Sequence, residues 1–204
     1  MRAFAGEPQV CPLQTQQLRY PTECHFDMQD GKLKLATRIG YGWDSHEFQS
    51  GRPLKIGGVT LPHKKGLGGH SDGDVLLHAI TDALLGAIAA PDIGSLFPPS
   101  DPKWKGADSV LFLQEALKRV RDAGYTISNL DSTLILAAPK IGPHAGTIRK
   151  HVAQLLNVPE DAVGLKAKTP EGMGTDNAAI AHVVVLLETS SKAVKTSRSK
   201  SKAT

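Results

Sequence analysis

Between Asp72 and Ala89 the apolar residues Val75, Leu76, Ala79, Ile80, Ala83, Leu84 and Ala87 recur at intervals of three and four. That spacing predicts an amphipathic helix lying on a sheet. The preceding Ser71-Asp-Gly-Asp74 has the form of a capping box, in which the Ser71 hydroxyl accepts from the third helical residue while Asp74 reaches back. Asp108 to Asp122, closed by Gly124, and Pro143 to Leu156, with proline in its first turn, carry the same helical signature. Strand patterns fill the spaces between. Leu35, Ile39 and Tyr41 open one; Pro53 to Ile56 and Val59 to Pro62 form a hairpin across Gly57-Gly58, whose glycines supply the positive φ of the turn; Tyr125 to Ala138, Val163 to Ala167 and Ile180 to Glu188 complete the set. The run Ile180-Ala-His-Val-Val-Val-Leu-Leu187 is too continuously apolar for an exposed edge. The sum predicts an α/β fold, one domain with a mixed β-sheet and helices on one face.

The chain has 204 residues and 40% apolar content, enough for a single sizeable core. Residues 1–37 mix Pro, Gln, Glu and Asp without periodicity and read as a poorly ordered extension; residues 38–188 form the domain; residues 189–204 form a Ser/Lys-rich tail. The tail holds Lys192, Lys195, Arg198, Lys200 and Lys202 with no acid, and without these five cations the formal charge of +4 becomes −1. The basic balance therefore belongs to the tail, and the body offers no face for a nucleic-acid backbone. No apolar run is long enough for a membrane span and no secretory signal stands at the N-terminus, so a soluble, intracellular chain is expected. The only two cysteines, Cys11 and Cys24, precede the first core segment, which leaves histidine and carboxylate as the available metal ligands.

Asp44-Ser-His46 supplies such a pair, because in extended backbone residues two apart point to the same side. A catalytic zinc takes three protein ligands and keeps the fourth position open. His78, within the first predicted helix, is the third candidate, with Asp82 four residues on as the acceptor that would orient its ring. His70-Ser71 at the expected helix start offers amides, a hydroxyl and an imidazole to a phosphate. The Pro/Gly-rich stretch Pro91 to Gly106 is a candidate binding loop. Lys166-Ala-Lys-Thr-Pro-Glu171 ends a strand in groups suited to phosphate and Mg²⁺, and Ala138-Pro-Lys140 is either a turn or a phosphate contact.

Taken together, Arg38-Ile-Gly-Tyr-Gly-Trp-Asp-Ser-His46, Leu54-Lys-Ile-Gly-Gly58, the stretch His70 to Gly86, Asp92-Ile-Gly94, Phe97-Pro98, Lys105-Gly-Ala-Asp-Ser109, Ala138-Pro-Lys140 and Pro143-His144 resemble the 2-C-methyl-D-erythritol 2,4-cyclodiphosphate synthases, in order from Arg38 to Glu188. The resemblance implies a homotrimer with active sites at subunit boundaries. It further implies cyclisation of 4-diphosphocytidyl-2-C-methyl-D-erythritol 2-phosphate with release of CMP, in the non-mevalonate route to isoprenoids. By position Asp44, His46 and His78 fall on ligands of Zn²⁺ or another divalent transition metal, and Glu171 on an acid near a substrate-borne Mg²⁺ or Mn²⁺. His70 and Thr169, with Glu171, take the catalytic positions. The implied substrate contacts are Asp44, Ser45, His46, His70 and Ser71, with Asp92, Ile93, Gly94, Phe97 and Asp101 on the methylerythritol side. Leu136, Ala138, Pro139, Lys140, Ala167, Lys168, Thr169 and Glu171 form the cytidine side, supplied by the neighbouring subunit.

Three departures stand out. Lys168-Thr-Pro-Glu171 replaces a Thr-Thr-Thr-Glu run, Pro99 replaces an acid, and the loop Gly172 to Asn177 is short and lacks an arginine, which argues against an isoprenoid diphosphate in the central trimer cavity. Two rival readings differ in chemistry: a metal phosphohydrolase that passes the phosphate to water, and a structural trimer braced by its metal. With an N-terminus too acidic for a transit peptide, a bacterial cytoplasm is expected rather than a plastid stroma.

Overall fold

In the computed structural model, residues 26–29 and 32–190 are described, with side chains from Leu35 onward. The tail residues 191–204 and positions 1–25 lie outside the described residues. The chain divides into two units, Met1–Lys34 and Leu35–Thr204. The first includes strand β1 (Phe26–Gln29), which pairs with β2 (Lys32–Leu35) in a separate two-stranded sheet, where the sequence pattern suggested no element before Leu35.

The second unit is built on β3 (Thr37–Ser50), the hairpin β4 (Leu54–Ile56) and β5 (Val59–Leu61), β6 (Lys65–Leu67), α1 (Val75–Ala87), the one-turn α2 (Ile93–Leu96), α3 (Ser109–Asp122), β7 (Tyr125–Leu136), α4 (Ala145–Leu156), β8 (Val163–Lys168) and β9 (Ala178–Thr189). Five strands form one sheet in the order β6-β3-β9-β7-β8. Only β7 and β8 are parallel, joined through α4, and the other pairs are antiparallel, so the sheet is mixed as expected. The apolar run Ala178–Thr189 lies at its centre.

Alternation along the strands sorts the two faces. Ala179, Ala181, Val183, Val185 and Leu187 of β9 and Leu130, Leu134 and Leu136 of β7 point under the helices and are buried. From α1, Leu76, Leu77, Ile80, Leu84 and Leu85 fill the other side of that core. Each such side chain contributes about 1.5–3 kcal/mol when fully buried. Helix α1 approaches β3 so closely that a β-carbon at Gly40 would lie 1.9 Å from the Ala83 carbonyl oxygen, and one at Gly42 2.0 Å from that of Ala79. Glycine is required at both, and the close contact carries α1 directly behind Asp44 and His46. Among the described residues the opposite face of the sheet leaves apolar side chains exposed, with Ile39 69%, Tyr41 58%, Trp43 48% and Val184 45% exposed. The continuous apolarity of β9 thus has two sources, the core on one side and this face on the other.

The start of α1 differs from the expected capping box. The helix begins at Val75 rather than Asp72, and Asp74 is its N-cap, accepting from the Leu77 amide at 3.0 Å. Asp74 also accepts from the amides of Gly57 and Gly58 at 2.9 and 2.6 Å, so the hairpin turn is tied to the helix end. Ser71 is released from capping because this completely buried carboxylate takes its place. Burial pushes the Asp74 carboxyl upward, against the lowering effect of its three amide donors.

Candidate active site

Register places Asp44 opposite Ala181 and His46 opposite Ala179 on the helix-facing side of β3, and His78 projects toward them from the first turn of α1. Asp44 Oδ2 lies 2.8 Å from His46 Nε2 and 2.9 Å from His78 Nδ1, and the two ring nitrogens are 3.0 Å apart. These three form a group able to hold a metal ion. A carboxylate oxygen and two imidazole nitrogens are the donors zinc prefers, and an ion about 2.0–2.1 Å from each fits such a triangle with one side open. Burial draws the Asp44 carboxyl upward, but the hydrogen bonds and attraction of His46 and His78 prevail and hold it at about 2. An ionised acceptor flanked by two imidazoles is the state a cation needs.

The remaining contacts of His78 correct the sequence reading. Asp82 does not orient the ring; its carboxylate accepts from the Ile93 amide at 2.8 Å and anchors α2 instead. His78 Nε2 faces Ser109 Oγ at 2.8 Å and Ser71 Oγ at 3.1 Å. Ser109 in turn donates to Asp72 Oδ1, and Lys55 Nζ donates to Asp72 Oδ2 at 2.9 Å. Asp72 is drawn upward by burial, yet its bonds to Ser109 and Lys55 leave it lowered on balance. Ser109 sits at the first position of α3 after the cap Asp108, which the sequence presents only as a helix start; nothing in its spacing shows that it would meet His78.

Beside the triangle opens a cavity of about 180 Å³ lined by His46, His70, Ser71, His78, Ile93, Gly94 and Phe97, with Pro99, Trp104 and Phe112 closing the apolar wall. Phe97, Trp104 and Phe112 pack against one another, Trp104 edge-to-face on both phenyl rings, with ring centroids 4.6 to 5.6 Å apart. The helix-start phosphate site expected at His70-Ser71 is changed in form: Asp74 occupies the end of α1, while His70 stands exposed on the cavity rim and Ser71 turns inward to His78. Asp92 and Asp101 act as caps, accepting from the amides of Ser95 at 2.7 Å and Lys103 at 3.1 Å. Ser45 lies between Asp44 and His46, so alternation turns its side chain to the other face of the sheet.

A second cavity of about 420 Å³ lies at the ends of β7 and β8, lined by Leu136, Ala137, Pro139, Lys140, Ile141, Gly142, Ala167, Lys168, Thr169 and Glu171. Thr169 Oγ1 donates to Glu171, whose φ of 50° is left-handed, a conformation that costs about 1–3 kcal/mol away from glycine. The residues assigned to cytidine by resemblance, Ala138 excepted, therefore share one cavity, while Ile93, Gly94 and Phe97 of the methylerythritol set, without Asp92 and Asp101, line the other.

The YgbB family model matches residues 37–188, the whole of the main sheet and its helices. The chain belongs to the YgbB family, the family of the 2-C-methyl-D-erythritol 2,4-cyclodiphosphate synthases. A synthase of that name from Koribacter versatilis is 66% identical over 151 residues, which cover 74% of this chain and 97% of that protein. The chloroplastic synthase of Arabidopsis thaliana is 53% identical over 75% of this chain and 68% of its own length. A solved structure of 2C-methyl-D-erythritol-2,4-cyclodiphosphate synthase in its CDP-bound form matches with a TM-score of 0.70 at 44% identity, covering 74% of this chain and all of that one. Among the described residues of this synthase-family chain, no helix is long and apolar enough to cross a membrane.

Proposed function

We propose that this chain closes 4-diphosphocytidyl-2-C-methyl-D-erythritol 2-phosphate into 2-C-methyl-D-erythritol 2,4-cyclodiphosphate and releases CMP, in the non-mevalonate route to isoprenoids. The observation that carries this reading is the Asp44, His46 and His78 triangle beside the Ile93, Gly94 and Phe97 cavity, in a chain 66% identical over 151 residues to a synthase of that name.

An oxygen of the 2-phosphate forms a bond to the erythritol-side phosphorus of the diphosphate, and the bond from that phosphorus to the CMP phosphate breaks, its electrons leaving with CMP. The attacking phosphate is already an anion at neutral pH, so no strong base is required, and the task is to hold two negative groups in line. Asp44, His46 and His78 would hold Zn²⁺ or another divalent transition metal, which when bound neutralises phosphate charge as a Lewis acid. Glu171 would receive Mg²⁺ or Mn²⁺ carried in by the diphosphate, since a carboxylate suits such a hard cation. His70 on the rim donates to phosphate oxygens, as does the Thr169 hydroxyl when it turns from Glu171 to the substrate, and Lys140 and Lys168 add positive charge on the cytidine side. Ile93, Gly94 and the wall of Phe97, Trp104 and Phe112 surround the methylerythritol carbons and exclude water, which favours ring closure over hydrolysis.

The same reading makes the protein a homotrimer with sites at the subunit boundaries. Two features support it: one reaction needs residues that lie in two separate cavities, and the outer sheet face at Ile39, Tyr41 and Trp43 is a ready apolar interface. Phosphorus NMR of the purified protein with its cytidine-diphosphate substrate, Zn²⁺ and Mg²⁺ tests the activity. A cyclic diphosphate appearing together with CMP is expected; a linear phosphate would establish hydrolysis instead.

A further inference from the structure

His70 belongs to the segment 68–74 that links β6 to α1, where Gly68, Gly69 and Gly73 give the backbone unusual freedom. The residue is exposed, so its imidazole is aimed by its backbone rather than by packing. That backbone is nevertheless held at three successive carbonyls. The His70 carbonyl accepts from the Gly106 amide at 2.7 Å. The carbonyls on either side of it go to one side chain: Arg52 Nη1 donates to Gly69 O at 2.8 Å, and Nη2 donates to Ser71 O. The base of that side chain is fixed as well. Pro53 restricts the backbone of Arg52 to extended conformations. Residues 52 and 53 lie so close to β6 that a β-carbon at Gly66 would stand 2.6 Å from the Arg52 carbonyl oxygen and 2.1 Å from that of Pro53. A guanidinium is a rigid planar fork that spans two acceptors at a set separation, whereas an ammonium on a flexible stem offers a single point of charge. The clamped backbone also passes beside the His46 ring, where a β-carbon at Gly69 would lie 3.1 Å from Cε1.

We propose that Arg52 is a positioning residue for the reaction: by bridging the carbonyls on both sides of His70 it holds the imidazole on the cavity rim, aimed at the substrate phosphate. The proposal rests on the reading that His70 donates to a phosphate oxygen. Arg52 acts through His70, because the two ends of its fork are committed to Gly69 and Ser71. Without the clamp only one of the three carbonyls stays held, and the imidazole samples positions away from the phosphate. A misplacement of about 1 Å is enough to cost about 100-fold in rate.

The experiment compares full-length wild-type protein, loaded with Zn²⁺ and Mg²⁺, with Arg52→Ala, Arg52→Lys, His70→Ala and the double variant that combines Arg52→Ala with His70→Ala. CMP release from the cytidine-diphosphate substrate gives kcat and KM, and backbone nitrogen relaxation gives the order of residues 69–71. Arg52→Ala should lose about 10- to 100-fold in kcat with KM near the wild-type value. Its amide order parameters at Gly69, His70 and Ser71 should fall from about 0.85 to below about 0.6. Arg52→Lys should behave like Arg52→Ala, and guanidinium ion added to Arg52→Ala below denaturing concentrations should restore part of the rate. In the double variant the loss should equal that of His70→Ala alone, since the two residues act as one unit. Additive losses, full activity in Arg52→Lys, or loss of bound Zn²⁺ in Arg52→Ala, which would move its effect to His46, would overturn the proposal. Arg52 is half-buried, and Arg52→Lys carries the test if the alanine variant fails to fold. Wild-type protein that releases no CMP would sink the assigned reaction instead. The order of residues 69–71 then judges the clamp, and a segment as rigid in Arg52→Ala as in wild type would overturn it.

Discussion

Asp44, His46 and His78 are set on a strand and a helix packed into the core, each touching the others within 3.0 Å, whereas Lys140, Lys168, Thr169 and Glu171 are exposed at strand ends. In the first region each polar group is held by another, from the Asp44 pair of imidazoles to the Ser109 and Asp72 contacts behind His78. In the second, charge is loosely presented around a cavity of about 420 Å³. The difference teaches where preorganisation is needed. A cation site must fix donor atoms before it binds, and burial makes each contact strong. A diphosphate brings its own charge, so exposed lysines on flexible stems are enough to receive it.

Removing a member of the preorganised set should have the largest effect. His78→Ala is expected to abolish turnover, at least about 10³-fold in kcat, while circular dichroism shows a folded chain; undiminished activity would break the contrast. Next comes the exposed sheet face proposed above as the subunit interface. Ile39→Asp places a charge on the exposed sheet face, and sedimentation should show monomers with activity lost together with assembly. A fully active monomer would mean that one chain unites both cavities by itself. On the loosely held side, Lys168→Ala should raise KM about 10- to 100-fold, the worth of one charge-assisted contact, with Zn²⁺ content unchanged.

The smallest effect concerns acid stability. The folded Asp44 carboxyl is held at about 2, below its ordinary value of 3.8. A lowered carboxyl contributes stability that is complete above its unfolded value and is lost as pH falls toward the folded one. In metal-free protein this contribution, about 2 kcal/mol, should therefore disappear between pH 3.8 and about 2. Asp44→Asn should flatten that part of a denaturation profile, and a wild-type acid limb in the variant would show that the imidazoles do not hold Asp44.

Legibility in the sequence followed locality. The Asp44 and His46 pair was readable because strand alternation is a rule about neighbours, and His78 because helical spacing puts it at the start of an amphipathic segment. The hairpin at Gly57-Gly58 and the central place of Ala178–Thr189 were readable for the same reason. The cap was misread because Ser71 and Asp74 are both good caps, and the choice between them is made by the Gly57 and Gly58 amides, seventeen and sixteen residues away. Asp82 was misassigned because its distance from His78 along the helix is local, while its real partner, the Ile93 amide, opens the following helix α2.

The order of elements, the period of each and the residue types able to bind a metal and a phosphate were determined by the sequence itself, since all of these depend on side chains a few positions apart. Which hydroxyl stands behind His78, which carboxylate caps α1, and the division of site residues between two cavities were decided only by tertiary structure. Those outcomes depend on segments that meet after folding, such as Asp72 with Ser109 across 37 residues, and no local spacing encodes such a meeting.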